Sequence, residues 1–136
     1  MVDKELVSPS IGDALDILVF SINDCLYGID GTQVGRMVML YEAEQEELPV
    51  RWFHQSLTFG HRDVDYRNPR VITLSGGDEP IGLIIDHPRD LVRVAIKSIC
   101  PLPSIFAKLD ALHVFWGGTV LDGKIVLLVD LFRLLR

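Results

Sequence analysis

Three pairs of apolar segments, each separated by a short polar turn, dominate the hydrophobic pattern of the chain. The paired segments are residues 17–22 with 25–29, 70–74 with 81–85, and 119–121 with 124–129. The turns between them are rich in Asn, Asp and Gly, which tolerate the positive φ angles that tight hairpin turns require. The pattern therefore predicts three β-hairpins.

The first two hairpins end alike, in Gly-Ile-Asp at 28–30 and Gly-Leu-Ile-Ile-Asp at 82–86. This similarity indicates two related β modules in tandem, each too small to fold alone. Residues 125–129 are apolar at every position, which predicts a strand covered on both faces. We therefore expect two β layers that share one hydrophobic core.

Helical signals are few. We predict a turn over residues 32–37, a second around 104–109, and a short C-terminal helix over 131–135 that Asp130 caps. The apolar residues of the last helix are expected to pack in the core. They are Leu131, Phe132, Leu134 and Leu135. The acidic run 42–47 is interpreted as a solvated connection, with attraction of a basic partner as the alternative.

Length and charge restrict the possible functions. With 136 residues, 49% of them hydrophobic, the chain has the composition of one globular domain, which we assign to 14–136, after an N-terminal segment at 1–13 expected to be flexible. The formal charge of -6 opposes binding to nucleic acids and to anionic membrane surfaces. No apolar run approaches the roughly 18 residues that span a bilayer, and no signal sequence is visible, so we expect a cytoplasmic protein without membrane insertion.

The sequence contains no recognisable set of catalytic or metal-binding residues. The four histidines, at 54, 61, 87 and 113, lie outside metal-ligand spacings, and we predict neither a metal site nor a cofactor. An enzyme that uses His54 or His61 as a base is an alternative that lacks a nucleophile. Cys25 and Cys100 are interpreted as small buried hydrophobes.

One stretch combines aromatic and basic residues. It contains Trp52, Phe53, Phe59 and Tyr66 together with Arg51, Arg62, Arg67 and Arg70. Such a mixture can stack on single-stranded bases. Because the chain is acidic, we favour a core role for the aromatic residues and ion pairs for the arginines.

The order of these blocks resembles CheW-like domains. The matching blocks are LVFSINDCLYGID at 18–30 with Val34, DVDY at 63–66, VITL at 71–74, GLIID at 82–86 with 91–92, 99–101, and DGKIVLLVDL at 122–131 ending in 134–135. The resemblance implies a mainly β fold: two five-stranded SH3-like barrels share one hydrophobic core, with few short helices. It also implies a non-catalytic adaptor, without a cofactor, that binds the regulatory domain of a CheA-like histidine kinase and the cytoplasmic tip of a methyl-accepting chemoreceptor.

Three residues are carried over as candidate partner-binding positions. Val34 matches a site of receptor contact in the family, and Met37 matches the apolar residue that follows it on the same short turn. Arg36 stands where family members often have an acidic residue, a difference that changes partner choice if the position is in contact. Core packing is the alternative role for Val34 and Met37.

The chain departs from the family pattern between Met37 and Leu48, where residues 38–47 replace a longer stretch with an Asn-Leu-Arg-Gly block. We therefore expect the first barrel to be incomplete, with an exposed edge that promotes homo-oligomers through strand pairing. The leading hypothesis is a divergent, shortened adaptor of chemotaxis-type signal transduction. The alternative is a degenerate module that binds a different protein, or a small ligand in the groove between the barrels, and no longer couples receptor arrays.

Overall fold

The computed structural model describes residues 13–56, 64–76, 80–102 and 114–135. Its strands and helices are, in chain order, β1 (Ala14–Ile22), β2 (Cys25–Asp30), β3 (Val34–Met39), α1 (Leu40–Gln45), β4 (Val50–Trp52), β5 (Pro69–Leu74), β6 (Gly82–Asp86), β7 (Leu91–Ala95), β8 (Phe115–Leu121), β9 (Lys124–Val129) and α2 (Leu131–Leu135). Apart from Asp13, the predicted N-terminal segment lies outside the described residues, as does the predicted turn around 104–109. Neither α1 nor α2 is long and apolar enough to cross a membrane.

All three predicted hairpins are confirmed. β1 pairs antiparallel with β2, β5 with β6, and β8 with β9. The turn of the first hairpin consists of Asn23 and Asp24, with φ angles of 50° and 68°. Asp122 and Gly123 form the third turn with φ angles of 52° and 78°. Both turns use the left-handed geometry that two-residue hairpins favour.

The hairpins from the two ends of the chain, together with β7, form one five-stranded sheet in the order β7-β1-β2-β9-β8. β9 lies parallel to β2, with Val126 opposite Leu26. Beyond β7, the backbone of Cys100 exchanges hydrogen bonds of 2.8 and 2.9 Å with Gly118 of β8. This bridge brings the two ends of the sheet together, so the five strands form a small barrel.

The middle of the chain forms a second sheet of four strands in the order β3-β5-β6-β4. β4 is parallel to β6, whereas β3 pairs antiparallel with β5. Among the described residues, β3 and β4 are the two edges of this sheet and do not pair with each other. The subdomain that contains the shortened stretch 38–47 is therefore a half-barrel, with four strands where five were expected. It is formed by the middle of the chain and does not include the first hairpin.

Alternating side chains of the sheets point into different cores. The shared core lies between the sheets and is formed by residues of both, including Phe20, Ile29, Ile72, Leu83, Ile85 and Val129. The barrel core fills the five-stranded barrel and includes Ile17, Val19, Leu26, Val94, Val126 and Leu128. A third core, between α1 and the half-barrel, contains Ala43, Val71 and Ile84. The predicted shared core is thus present, together with one smaller core in each subdomain.

The prediction that β9 is covered on both faces needs one correction. Val126 and Leu128 point into the barrel core, while Val129 points into the shared core. Ile125, however, is 69% exposed and lies at the start of β9, next to the turn.

Two helical predictions also change. The acidic run is not a plain connection, because its first four residues belong to α1, where Ala43 is fully buried. Met39 donates its backbone N–H to Glu42 Oε1 at 2.9 Å, a bond typical of a helix N-terminus. In α2 the three leucines are buried as expected, but Phe132 is 45% exposed.

The interpretation of the cysteines is wrong, whereas that of the described aromatic residues is confirmed. Cys25 and Cys100 are both exposed free thiols. Cys25 opens β2 beside the turn, and Cys100 lies at the bridge to Gly118. Phe53 is buried against Phe20 and Tyr27, with ring centroids 5.0 and 4.7 Å away. Trp52 packs edge-on against Tyr66 at 4.7 Å. Phe59 and Arg62 lie outside the described residues.

Candidate protein-binding surface

The candidate partner-binding residues follow a crossover, residues 31–33, that leads from the barrel to the half-barrel. The Asp30 carboxylate accepts hydrogen bonds from the backbone N–H and the hydroxyl of Thr32, both at 2.9 Å. These bonds turn Gly31–Gln33 into one 3₁₀ turn, after which β3 begins at Val34. The turn predicted over 32–37 is therefore too long, because its second half pairs with β5 instead.

An irregularity in β3 brings Val34 and Met37 to the same face. Val34 lies opposite Leu74 and Met37 opposite Ile72, so β3 uses one residue more than β5 between these pairs. An extra residue of this kind is a β-bulge, which reorients the side chains that follow it. Val34 packs at the margin of the shared core, and Met37, 40% exposed, continues the same face into solvent.

Arg36 faces the other way, towards α1. Its guanidinium forms a two-pronged ion pair with the Glu46 carboxylate, with Nη1 3.1 Å from Oε2. Hydrogen bonding to Arg36 lowers the pKa of Glu46, and the same bond raises the pKa of Arg36. Val34 and Met37 thus form one apolar face, while Arg36 is engaged within the chain.

The outer edge of β3 is shielded at its C-terminal end. Glu42 occupies the backbone N–H of Met39, and the bulge interrupts the regular backbone pattern near Arg36. Bulges and short edges are common protections against unwanted strand pairing. The edge expected to promote self-association is therefore less open than the sequence indicates.

Sequence reasoning missed Gln33, whose side chain joins the crossover to α2. The Gln33 amide donates from Nε2 to Asp130 Oδ1 at 3.1 Å, and its Oε1 accepts the backbone N–H of Leu131 at 2.9 Å. We call these two bonds the Gln33 bridge. The backbone carbonyl of Gln33 also accepts the N–H of Ser75 at 2.7 Å. A glutamine before a strand carries no pattern that predicts a partner 97 residues away.

A polar pocket of about 210 Å³ lies between the two subdomains. Its lining residues are Ser21, Asn23, Asp24, Asp65, Arg67, Asp86 and His87. The buried Asp86 carboxylate accepts the backbone N–H groups of Arg67 at 3.2 Å and Asn68 at 2.6 Å. No group of three His, Cys, Asp or Glu that could hold a metal occurs in the part of the chain that the structure describes.

His54, one of the two histidines considered as a catalytic base, is part of the aromatic packing. Its Nδ1 lies 3.1 Å from Tyr66 Oη, which also accepts the backbone N–H of His54 at 3.2 Å. Burial raises the pKa of Tyr66 to about 12. The other candidate base, His61, lies outside the described residues.

Comparison with known proteins identifies the family. The model of the CheW-like domain matches residues 35–136, more than half of the chain. A search of curated proteins gives no match. Among solved structures, the scaffolding protein TtCheW from Thermoanaerobacter tengcongensis has a similar fold, with a TM-score of 0.64 and 22% sequence identity over 85% of this chain and 88% of that one. The chain therefore belongs to the CheW-like domain family.

Proposed function

We propose that this protein is a non-catalytic adaptor of chemotaxis-type signal transduction. Its partners would be the regulatory domain of a CheA-like histidine kinase and the cytoplasmic tip of a methyl-accepting chemoreceptor, and it would act in the cytoplasm. Family membership and the fold similarity to a scaffolding protein support the proposal. The observation that carries it is the apolar face of β3, where the shared core continues through Val34 to half-exposed Met37.

Val34 and Met37 would contact the partner directly. An unbranched thioether such as Met37 adapts to different apolar surfaces at low cost. Arg36 would act differently, because its ion pair with Glu46 must open before the guanidinium can bind another carboxylate. We propose that Arg36 sets partner choice, with the cost of opening that pair favouring partners that carry a strong acidic group.

Direct binding tests the proposal. The purified chain is titrated separately with the kinase regulatory domain and with a receptor cytoplasmic tip at low ionic strength, where weak electrostatic contacts are least screened. Binding to either partner supports the adaptor function. Absence of binding to both rules it out.

The polar pocket supports a second candidate function, a module that binds a small polar ligand between its subdomains. Among the lining residues, the Arg67 guanidinium and the Asn23 amide carry donors, and the carboxylates of Asp24 and Asp65 carry acceptors. Native mass spectrometry of the protein purified under mild conditions would reveal such a ligand as added mass. The chain could instead be a module that binds a different protein. A pull-down that recovers a partner unrelated to chemotaxis would favour that function.

Self-association through the β3 edge remains a prediction. Two copies paired along β3 would form one continuous sheet across the dimer. The acidic α1 helix of each copy would then lie on the same face of that sheet. Repulsion between them would make any dimer favour high salt. Sedimentation at increasing protein concentration, with and without added salt, measures this directly, and a monomer throughout would contradict the prediction.

A further inference from the structure

We propose that Gln33 is a positioning residue, which holds β3 in the orientation that the partner recognises. This inference rests on the proposed adaptor function and extends it beyond the residues that touch the partner. Gln33 lies directly before Val34 in sequence. Its side chain forms hydrogen bonds with Asp130 and Leu131 at the start of α2, near the C-terminal end of the sequence. The Gln33 bridge therefore ties the apolar face of β3 to an element buried in the shared core.

The bridge satisfies the first backbone N–H group of α2. Leu131 is the first residue of α2, so its backbone N–H has no acceptor within the helix. Gln33 Oε1 supplies that acceptor. Asp130 Oδ1 accepts both from Gln33 and, at 3.3 Å, from the backbone N–H of Arg133, so a single carboxylate caps α2 and holds the crossover.

The surroundings make the bridge rigid at both ends. Leu131 is fully buried in the shared core, and Asp130 donates its backbone N–H to the Val114 carbonyl at 2.8 Å. On the other side, the Gln33 carbonyl fixes the turn after β5 through Ser75. Loss of the bridge would leave the start of β3, next to the bulge, free to shift, and this would loosen the bond from the Arg36 backbone N–H to Thr73 Oγ1.

Two variants separate the bonds of the bridge. Gln33→Leu removes both, whereas Gln33→Glu retains an acceptor for Leu131 but places a second carboxylate beside Asp130. Gln55→Leu is the matched control, because Gln55 is an exposed glutamine of the same subdomain. Val126→Ala, which shortens a side chain of the barrel core, controls for a general loss of stability.

The first measurement is amide hydrogen exchange of the free protein. With Gln33→Leu we expect exchange of the Leu131 amide to rise by about tenfold, and exchange of the Arg36 amide, which donates to Thr73 Oγ1, to rise with it. Gln55→Leu should change neither. A rise confined to Leu131 would show that the bridge only caps α2, and would overturn the proposal.

The second measurement is a double-mutant cycle for binding to the kinase regulatory domain and the receptor tip. Gln33→Leu should weaken binding several-fold, and its effect should largely disappear in the presence of Met37→Ala, because both changes act through the same face. Val126→Ala should leave the affinity of the folded protein unchanged. Unchanged affinity with Gln33→Leu, or strict additivity with Met37→Ala, would contradict the inference. If the wild type binds neither partner, the proposed function fails, and exchange at Arg36 alone then decides whether Gln33 positions β3.

Discussion

At the scale of single residues, close packing sets the strongest constraints. Gly28 of β2 lies where a Cβ atom would come within 2.6 Å of Ile17 Cγ2 and 3.1 Å of Leu128 Cδ2. The barrel core is therefore filled up to the backbone of β2. Gly118 also lies in a strand of this sheet. A Cβ atom there would have only the Val126 carbonyl oxygen nearby, at 3.4 Å.

Gly28→Ala should destabilise the fold by about 1–3 kcal/mol, the usual cost of inserting a methyl group into a packed core. Gly118→Ala, the matched control, should change the free energy of unfolding by less than about 0.5 kcal/mol. Urea unfolding measures both. Equal effects of the two substitutions would show that the barrel core is not packed as described.

We expect the protein to lose stability in alkali, because Tyr27 is buried and Tyr66 is partly buried. Burial raises the pKa of Tyr27 and that of Tyr66 to about 12, above the ordinary value near 10. The folded state then holds protons that the unfolded state releases, so stability is complete below pH 10 and falls as the pH rises towards 12. Unfolding in urea between pH 9 and pH 11 should show this fall, and Tyr66→Phe should make it shallower. A flat profile would contradict the burial of these phenols.

At the scale of elements, the hairpins could be predicted from sequence because both the alternation of residues and the turn chemistry are local. The turn residues Asn23, Asp24, Asp122 and Gly123 adopt the positive φ angles that their types allow. Helix α1 could not be predicted, because its acidic residues are typical of a solvated segment. Its one buried residue, Ala43, packs against the half-barrel, and a single alanine gives no apolar pattern. The Gln33 bridge was equally invisible, since it joins residues that only the tertiary fold brings together.

The packing of α1 gives a test at this scale. Ala43 is fully buried against Val71 and Ile84, so Ala43→Leu should destabilise the protein by about 1–3 kcal/mol through overpacking. Gln45→Leu places a leucine on the exposed side of the same helix and should be nearly neutral. Thermal unfolding compares the two. If both are neutral, α1 does not pack on the half-barrel.

At the scale of the whole molecule, one shared core joins the subdomains. β9 completes the barrel beside β2, and both sheets contribute side chains to the same cluster. The sequence indicated this arrangement through the apolar run of β9 and the order of the blocks. It did not indicate the exposure of Ile125, since an apolar residue type carries no sign of which positions the fold covers. Neither subdomain has enough buried surface of its own to be expected to fold independently.

The shared core predicts cooperative unfolding, and the two tryptophans can report on it. Trp52 lies in the half-barrel and Trp116 in the barrel, so Trp116→Phe and Trp52→Phe each leave one reporter per protein. Within each variant, the urea midpoint from tryptophan fluorescence should coincide with that from far-UV circular dichroism. A separate fluorescence midpoint in either variant would mean that the subdomains unfold independently.

The central claim is that the Val34 and Met37 face of β3 binds the signalling partner. The most direct test uses two variants of this protein, Met37→Asp and Ile125→Asp, beside the wild type. The affinity of each for the kinase regulatory domain and for the receptor tip is measured by calorimetric titration. Both variants place a carboxylate at an exposed apolar strand residue, but Ile125 belongs to the barrel. We predict that Met37→Asp weakens binding to at least one partner by tenfold or more while Ile125→Asp binds like the wild type. Wild-type affinity of Met37→Asp for both partners would contradict the account.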